Sequence, residues 1–551
     1  MSDSPAALSP DLPKPLEAAL DDLKPAQVWR FFHGLTQVPR PSRHEEKIRR
    51  HVHEVAGQQG WTSREDDAGN IVIDVPATKG YEQVPVTIIQ GHLDMVAEAN
   101  RGTTHDFEND PIKAMLAPDP AHQGASSNNG GPKAVVIADG TTLGADNGIG
   151  VAMGMAAAAD PDCVHGPLEL LLTSDEEMGM TGANALKPDF VRGRRLINLD
   201  SEEDDAIYIG CAGGCDVTLN WPFTGETIIE SSDAKEICRV TVRGLRGGHS
   251  GGDIHLNHAN AIRLIARLLG RVLDEGQDDI NAQFSPDLPE MALRLITLEG
   301  GKQRNAIPRE ASAMVSGPAG TEAALGLAAD AIIEEAKSLH GEPATEVDVE
   351  LIEFASLTDA AALSIEDSTR IIRTLSAIPS GVLSLVPDIP GLVQTSNNLS
   401  TITTDTPDED AEDSSANIHR SITVGCLTRS SNWSELKAAV RTLIELGRLG
   451  GAQVHTSNAY PGWPPNADSD LLERSRAQYE ALFGEAPGVT AIHAGLECGI
   501  IGKRLGGEVD MVSFGPNIRG AHSPDERVYV DSVAKSYELL KAVLRDLAEA
   551  K

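Results

Sequence analysis

Between about residues 27 and 200, short apolar runs alternate with segments of helical period, the pattern of an α/β layer architecture. The strand-like runs are Asn70–Val75, Val86–Gln90, Leu168–Thr173 and Leu196–Leu199. Their near-continuous apolar character suits strands covered on both faces. Between them, Arg43–Val55 and Asn147–Ala159 read as helices. The second is rich in Ala, Met and Gly and is expected to be buried. Reactive groups in such sheets gather at the carboxyl ends of strands, so the residues that follow each run carry the functional weight.

From about Cys215 the pattern changes to strands interleaved with Ala/Leu-rich helices over Asn260–Leu273, Thr321–Leu339 and Trp433–Gly447, which predicts an α+β domain. Asp405 to Ser415 is acidic, contains a proline and lacks apolar periodicity, so 405–415 reads as a solvated insertion. Val489–Ile492 and Met511–Phe514 return to the earlier strand style, and Val530–Ala550 has a helical period. The expected organisation is a discontinuous α/β domain, 1–212 and 458–551, with a central mixed sheet flanked by helices. An α+β domain, 213–457, is inserted into it. At 551 residues the chain is too long for one core.

Composition narrows the function classes. The net charge of −36, from 82 Asp and Glu against 46 Lys and Arg, argues against nucleic acid or an anionic membrane as partner. No apolar stretch is long enough to span a bilayer, and Met1 to Pro25 lacks the basic start and apolar core of a secretory signal. Six scattered cysteines form no dense framework, which fits a reducing, cytoplasmic setting. Cys211 and Cys215 invite a zinc reading, but no second close pair completes a tetrahedral set.

Five segments place polar residues after apolar runs. Ile88–Val96 delivers His92 and Asp94; an imidazole can ligate a metal while an acid two residues on orients it. Leu143–Gly150 sets Asp146 among glycines at a helix start, where a simple N-cap is the plain alternative. Leu170–Gly179 carries Asp175, Glu176 and Glu177 in a row, costly without a cation nearby. Leu196–Glu203 delivers Asp200, and Ser513–Glu526 sets His522 in a Gly/Pro-rich loop. Singly each is weak. Their shared placement is what marks a site.

Together these segments resemble the dinuclear zinc peptidases that include the aminoacyl-histidine dipeptidases. The likeness extends to Gly247–Asp253, Gln303–Pro308, Leu427–Ser431, Tyr460–Pro464 and Ala491–Gly499, the last peculiar to the dipeptidase branch. The resemblance implies one metal on His92 and Asp200, another on Glu177 and His522, and Asp146 bridging both. In relatives a cis peptide bond often follows the bridging aspartate; here that bond is Asp146–Asn147. Zinc fits this ligand set best, with manganese or cobalt as alternatives.

By the same resemblance, two metals activate a bridging hydroxide, Glu176 is the general base, and Asp94 orients His92. His249 in the inserted domain serves the oxyanion, from the partner subunit where relatives are homodimers formed through that lid. Arg429 clamps the substrate carboxylate, and Asn305 contacts the peptide. The implied activity is hydrolysis of Xaa-His and other dipeptides. An aminoacylase or tripeptidase on the same metals, or a silent binding protein of this fold, are the alternatives.

Overall fold

The computed structural model describes residues 13–119, 133–224, 226–227, 236–274, 291–353, 361–387, 389–405 and 419–550. Residues 1–12 of the N-terminal stretch and 406–415 of the acidic insertion lie outside them. The chain divides into two compact units. The first comprises Met1–Cys211, Trp463–Ala491 and Leu496–Lys551, and the second Ala212–Gly462 and Ile492–Gly495. The tetrapeptide Ile492–Gly495 thus departs from the stretch 458–551 in which the sequence places it. Its backbone explains why, since the Ala212 amide donates to the carbonyls of Ile492 and Ala494, both at 3.0 Å.

An eight-stranded sheet organises the first unit. In chain order its strands are β1 (Thr62–Glu65), β2 (Ile71–Val75), β3 (Thr87–His92), β4 (Leu168–Thr173), β5 (Arg195–Asn198), β6 (Ala206–Cys211), β7 (Gly488–Ile492) and β8 (Asp510–Ser513). Across the sheet they run β1-β2-β4-β3-β5-β8-β6-β7. The pairs β3/β4, β3/β5 and β5/β8 are parallel, while β1/β2, β2/β4 and β6/β8 are antiparallel. This is the expected mixed α/β sheet. Every residue of β3 and of β4 is buried, as continuous apolar runs covered on both faces require.

Helix Ala145–Ala159 packs on β3 and β4 and is buried along nearly its whole length. Helix Val530–Glu549 lays Val533, Tyr537, Leu540, Leu544 and Leu547 against its neighbours, a stripe at helical spacing. The helix expected from Arg43 begins only at Glu46, because Arg43 adopts φ 70°, a left-handed conformation that a helix cannot include.

A five-stranded sheet, not anticipated from the sequence, also belongs to the first unit. It contains Ala114–Pro118 and Ala134–Ala138 beside the hairpin Ile518–Arg519 and Arg527–Tyr529. His522 therefore lies in a hairpin loop. The second unit has the expected α+β character. A nine-stranded sheet, antiparallel at its described pairings, shares one core with helices Ala261–Asp274, Thr321–His340, Ile365–Ala377 and Trp433–Leu449. Cys238, Val240 and Val242 alternate inward along one strand of that sheet, the period-2 pattern of a half-covered strand.

Close approach of helix Ala145–Ala159 depends on Gly150, where a Cβ would lie 2.3 Å from the Leu199 carbonyl oxygen. In an open helix Gly→Ala stabilises by ~1 kcal/mol; here the clash is with backbone and reverses the sign. Gly150→Ala should destabilise the protein by about 1–3 kcal/mol, read as a lower urea midpoint. An unchanged or raised midpoint would contradict this packing.

Candidate metal centre

Parallel strands bring the predicted residues to one edge of the sheet. His92 ends β3, Glu176 and Glu177 open the one-turn helix Glu176–Gly179 after β4, and Asp200 follows β5. Asp175, at φ 52°, turns the chain sharply into that helix. Asp146 comes from the start of helix Ala145–Ala159, after the expected cis bond Asp146–Asn147 is counted in, and His522 from its hairpin loop.

The carboxylate of Asp146 divides between two histidines. Its Oδ1 lies 3.0 Å from His92 Nε2, and its Oδ2 3.1 Å from His522 Nε2. His92 Nε2 also approaches Asp200 Oδ1 at 3.4 Å, and His522 Nε2 approaches Glu177 Oε2 at 3.0 Å. Ligand atoms of His92, Asp146 and Asp200 lie within 4.8 Å of one another, as do those of Asp146, Glu177 and His522. Two ligand groups therefore share one carboxylate.

Asp94 lies behind them, fully buried. Its Oδ1 is 3.4 Å from His92 Nδ1, and the carboxylate accepts hydrogen bonds from the amides of Glu176 (3.0 Å) and Glu177 (3.2 Å) and from Ser42 Oγ (2.8 Å). One acid thus orients the His92 ring and caps the turn that carries both glutamates.

The electrostatics are those of a site short of positive charge. Burial lowers the pKa of His92, but Asp200, Asp146 and Asp94 outweigh it and hold the imidazole well above its ordinary value. Hydrogen bonds to Asp146 and Glu177 push His522 up to about 11. Burial acts to raise Asp146, yet His522 and His92 keep it below the usual carboxylate range. Burial raises Glu176, Glu177 and Asp200. Asp94 is held at about 2 against its own burial, chiefly by His92.

Both histidines, which the surrounding acids hold toward the protonated form, lie where those acids converge. Glu177 Oε1 is buried with no hydrogen-bond partner among the described residues, and Asp200 Oδ1 has only the longer approach of His92 Nε2 at 3.4 Å, a costly condition for carboxylates. Divalent ions on the two ligand groups would satisfy these oxygens, and a histidine-carboxylate set suits zinc, manganese or cobalt. No cysteine enters a ligand group among the described residues. Cys211 and Cys215 belong to different units, and burial raises both thiols, Cys211 to about 11.

The remaining predicted residues belong to the second unit. Arg429 is buried, with Nη1 3.4 Å from Tyr460 Oη and with Nε lacking a hydrogen-bond partner among the described residues. Burial, with the charge of Arg429 adding to it, pushes nearby His493 down to about 3, so it is neutral; its Nε2 is 2.8 Å from Ser396 Oγ. Exposed His249 accepts at Nδ1 from the amides of Gly251 (3.2 Å) and Gly252 (3.0 Å), which leaves Nε2 as the protonated nitrogen. The carbonyl of exposed Asn305 accepts from the Ser250 amide at 2.7 Å.

Some supporting residues were not singled out from sequence. Arg40, Ser42, Gln90, Glu497 and Glu526 are all buried around the ligands. Glu497 receives Gln90 Nε2 at 2.7 Å, and burial pushes its carboxyl up to about 8.

The mixed sheet carries histidines and acids at its carboxyl edge, grouped as metal ligands are. The chain belongs to Peptidase family M20/M25/M40, whose model matches residues 88–546. It is 38% identical to the cytosol non-specific dipeptidase of Escherichia coli (strain K12) over 528 residues, 96% of this chain and 99% of that protein. The crystal structure of aminoacylhistidine dipeptidase from Vibrio alginolyticus is likewise 38% identical. That match has a TM-score of 0.78 and covers 95% of this chain and 97% of its own. A tripeptidase from Staphylococcus aureus, at 13% identity and TM-score 0.53 over 96% of this chain and 100% of its own, shares the fold alone. The resemblance read from the five segments is borne out, and the protein is a hydrolase of this family.

The acids around His92 and His522 favour the protonated imidazoles, so metal uptake on these two rings would displace protons. Calorimetric titration of chelator-treated protein with Zn²⁺ at pH 7, in two buffers of different ionisation enthalpy, should report proton release. Affinity should rise with pH across the neutral range. Uptake without proton release would contradict metal binding on these two histidines.

Proposed function

We propose that the protein is a two-metal dipeptidase that hydrolyses Xaa-His and other dipeptides in the cytoplasm. The observation that carries this reading is the division of Asp146 between His92 and His522, which gives two ligand groups with a shared carboxylate. The names of the Escherichia coli and Vibrio alginolyticus relatives support the substrate class. Among the described residues no helix is long and apolar enough to cross a membrane.

In this reading His92 and Asp200 would hold one ion and Glu177 and His522 the other, with Asp146 available to both. Zinc is the foremost choice, with manganese or cobalt as alternatives. When bound, the ions supply Lewis acidity and a water acidic enough to attack near neutral pH. Glu176 would accept a proton from the attacking water and pass it to the leaving amine. Its neighbour Glu177, which faces His522 at 3.0 Å, would serve as the ligand. Asp94 keeps the His92 ring in place.

His249 supplies the oxyanion donor. Its Nδ1 is occupied by two glycine amides, so Nε2–H is the group available to a developing negative charge. It does so within a homodimer formed through the second unit. Arg429 recognises the substrate carboxylate with a buried, incompletely bonded guanidinium, and Asn305 adds a contact to the peptide.

Glu176→Ala should retain both metals by elemental analysis and lose about 10²–10⁴ in kcat on β-alanyl-histidine. Surviving kcat would overturn the base assignment, and full activity after exhaustive chelation would overturn the metal mechanism. Arg429→Lys should raise KM for dipeptides about tenfold or more, the worth of a charge-assisted hydrogen bond. The same change should do little for carboxamide analogues; equal losses on both would remove Arg429 from carboxylate recognition.

A further inference from the structure

We infer that Arg40 and Glu526 form a buried clamp on residues 143–146 that sets how tightly the first unit holds its metal ions. The inference rests on the two-metal reading above. Both are positioning residues, each 2% exposed, and neither belongs to the ligand groups.

Glu526 grips the amide side of the loop. Its Oε2 accepts from the amides of Leu143 at 2.7 Å and Gly144 at 2.9 Å, and its Oε1 from the amide of Asp146 at 3.1 Å. Arg40 grips the carbonyl side, donating through Nη2 to the Gly144 oxygen. Through Nη1 it donates to the carbonyls of Leu93 and Asp94, each at 2.9 Å. Glu526 shares a hairpin loop with His522, and Leu93 directly follows His92. The pair therefore ties together the segments that bear His92, Asp146 and His522.

The fit is tight. A Cβ on either Gly144 or Gly148 would lie 2.5 Å from Arg40 Nη2, so the surrounding chain is shaped around the guanidinium. A metal site tolerates ligand displacements of only ~0.2 Å, and loss of a group that orients a ligand lowers metal affinity about 10–100-fold. Glu526→Gln is the incisive change. Whichever way the amide settles, its NH₂ faces at least one backbone N–H that now meets an acceptor.

A purely structural role would show in fold stability rather than in affinity. Asp119 provides the comparison, a fully buried carboxylate bonded to Tyr529 Oη at 2.9 Å and paired with Arg527 at 3.4 Å. Chelator-stripped wild type, Glu526→Gln, Arg40→Lys and Asp119→Asn should be titrated calorimetrically with Zn²⁺, alongside Tm of each metal-free form. Glu526→Gln should raise the Zn²⁺ dissociation constant about 10–100-fold, and Arg40→Lys, whose single ammonium cannot span three carbonyls, should do likewise. Asp119→Asn should lower Tm without changing affinity. Wild type that takes two ions while Glu526→Gln binds as tightly overturns the clamp alone. Wild type that binds no ion overturns the functional reading and the clamp with it. Should Glu526→Gln fail to fold, Arg40→Lys decides by the same criterion.

Discussion

The first unit is built around a surplus of buried negative charge that Asp146 shares out. Its two oxygens face His92 and His522, and each histidine faces a further acid, Asp200 or Glu177. Buried carboxylates this close cannot all remain ionised without compensating cations. The acids hold both histidines toward the protonated form, which provides part of that compensation. Divalent ions would provide it more completely, reaching Glu177 Oε1, which has no hydrogen-bond partner among the described residues, and Asp200 Oδ1, which has only His92 Nε2 at 3.4 Å. The fold thus carries an electrostatic debt that metal binding discharges.

Parallel pairing makes this convergence possible. With β3, β4 and β5 side by side and parallel, their carboxyl ends share an edge, and residues far apart in sequence arrive together. Asp146 reaches the same place on a helix whose small residues let it lie against the sheet. His522 reaches it on a hairpin of the smaller sheet.

Much of this was legible in the sequence because apolar strand runs are long-range devices with local signatures. Leu168–Thr173 was read to the residue, and His92, Glu177 and Asp200 could be placed because each follows such a run directly. The short strands Ala114–Pro118 and Ala134–Ala138 were not legible, being brief and defined by pairing with one another and with the distant Arg527–Tyr529. Ile492–Gly495 carries no local sign of belonging with the second unit, because backbone hydrogen bonds to Ala212 decide it. Arg40 sits between two prolines and has the look of a turn residue. Glu526 ends a motif whose histidine draws attention first. What both do depends on backbone groups, and backbone groups leave no trace in residue identity.

That dependence separates ligand choice from ligand placement. Glu176 and Glu177 are chemically alike, and one helical turn presents Glu177 to His522 at 3.0 Å. The turn is fixed by Asp94, which accepts from both of their amides while its Oδ1 also faces the His92 ring. Rotating that turn would carry Glu177 away from His522 and Glu176 with it, and would release the ring of His92. One interior carboxylate therefore couples His92 on β3 to two side chains after β4. Placement at this edge of the sheet is a property of the hydrogen-bonded backbone as much as of the side chains that meet there.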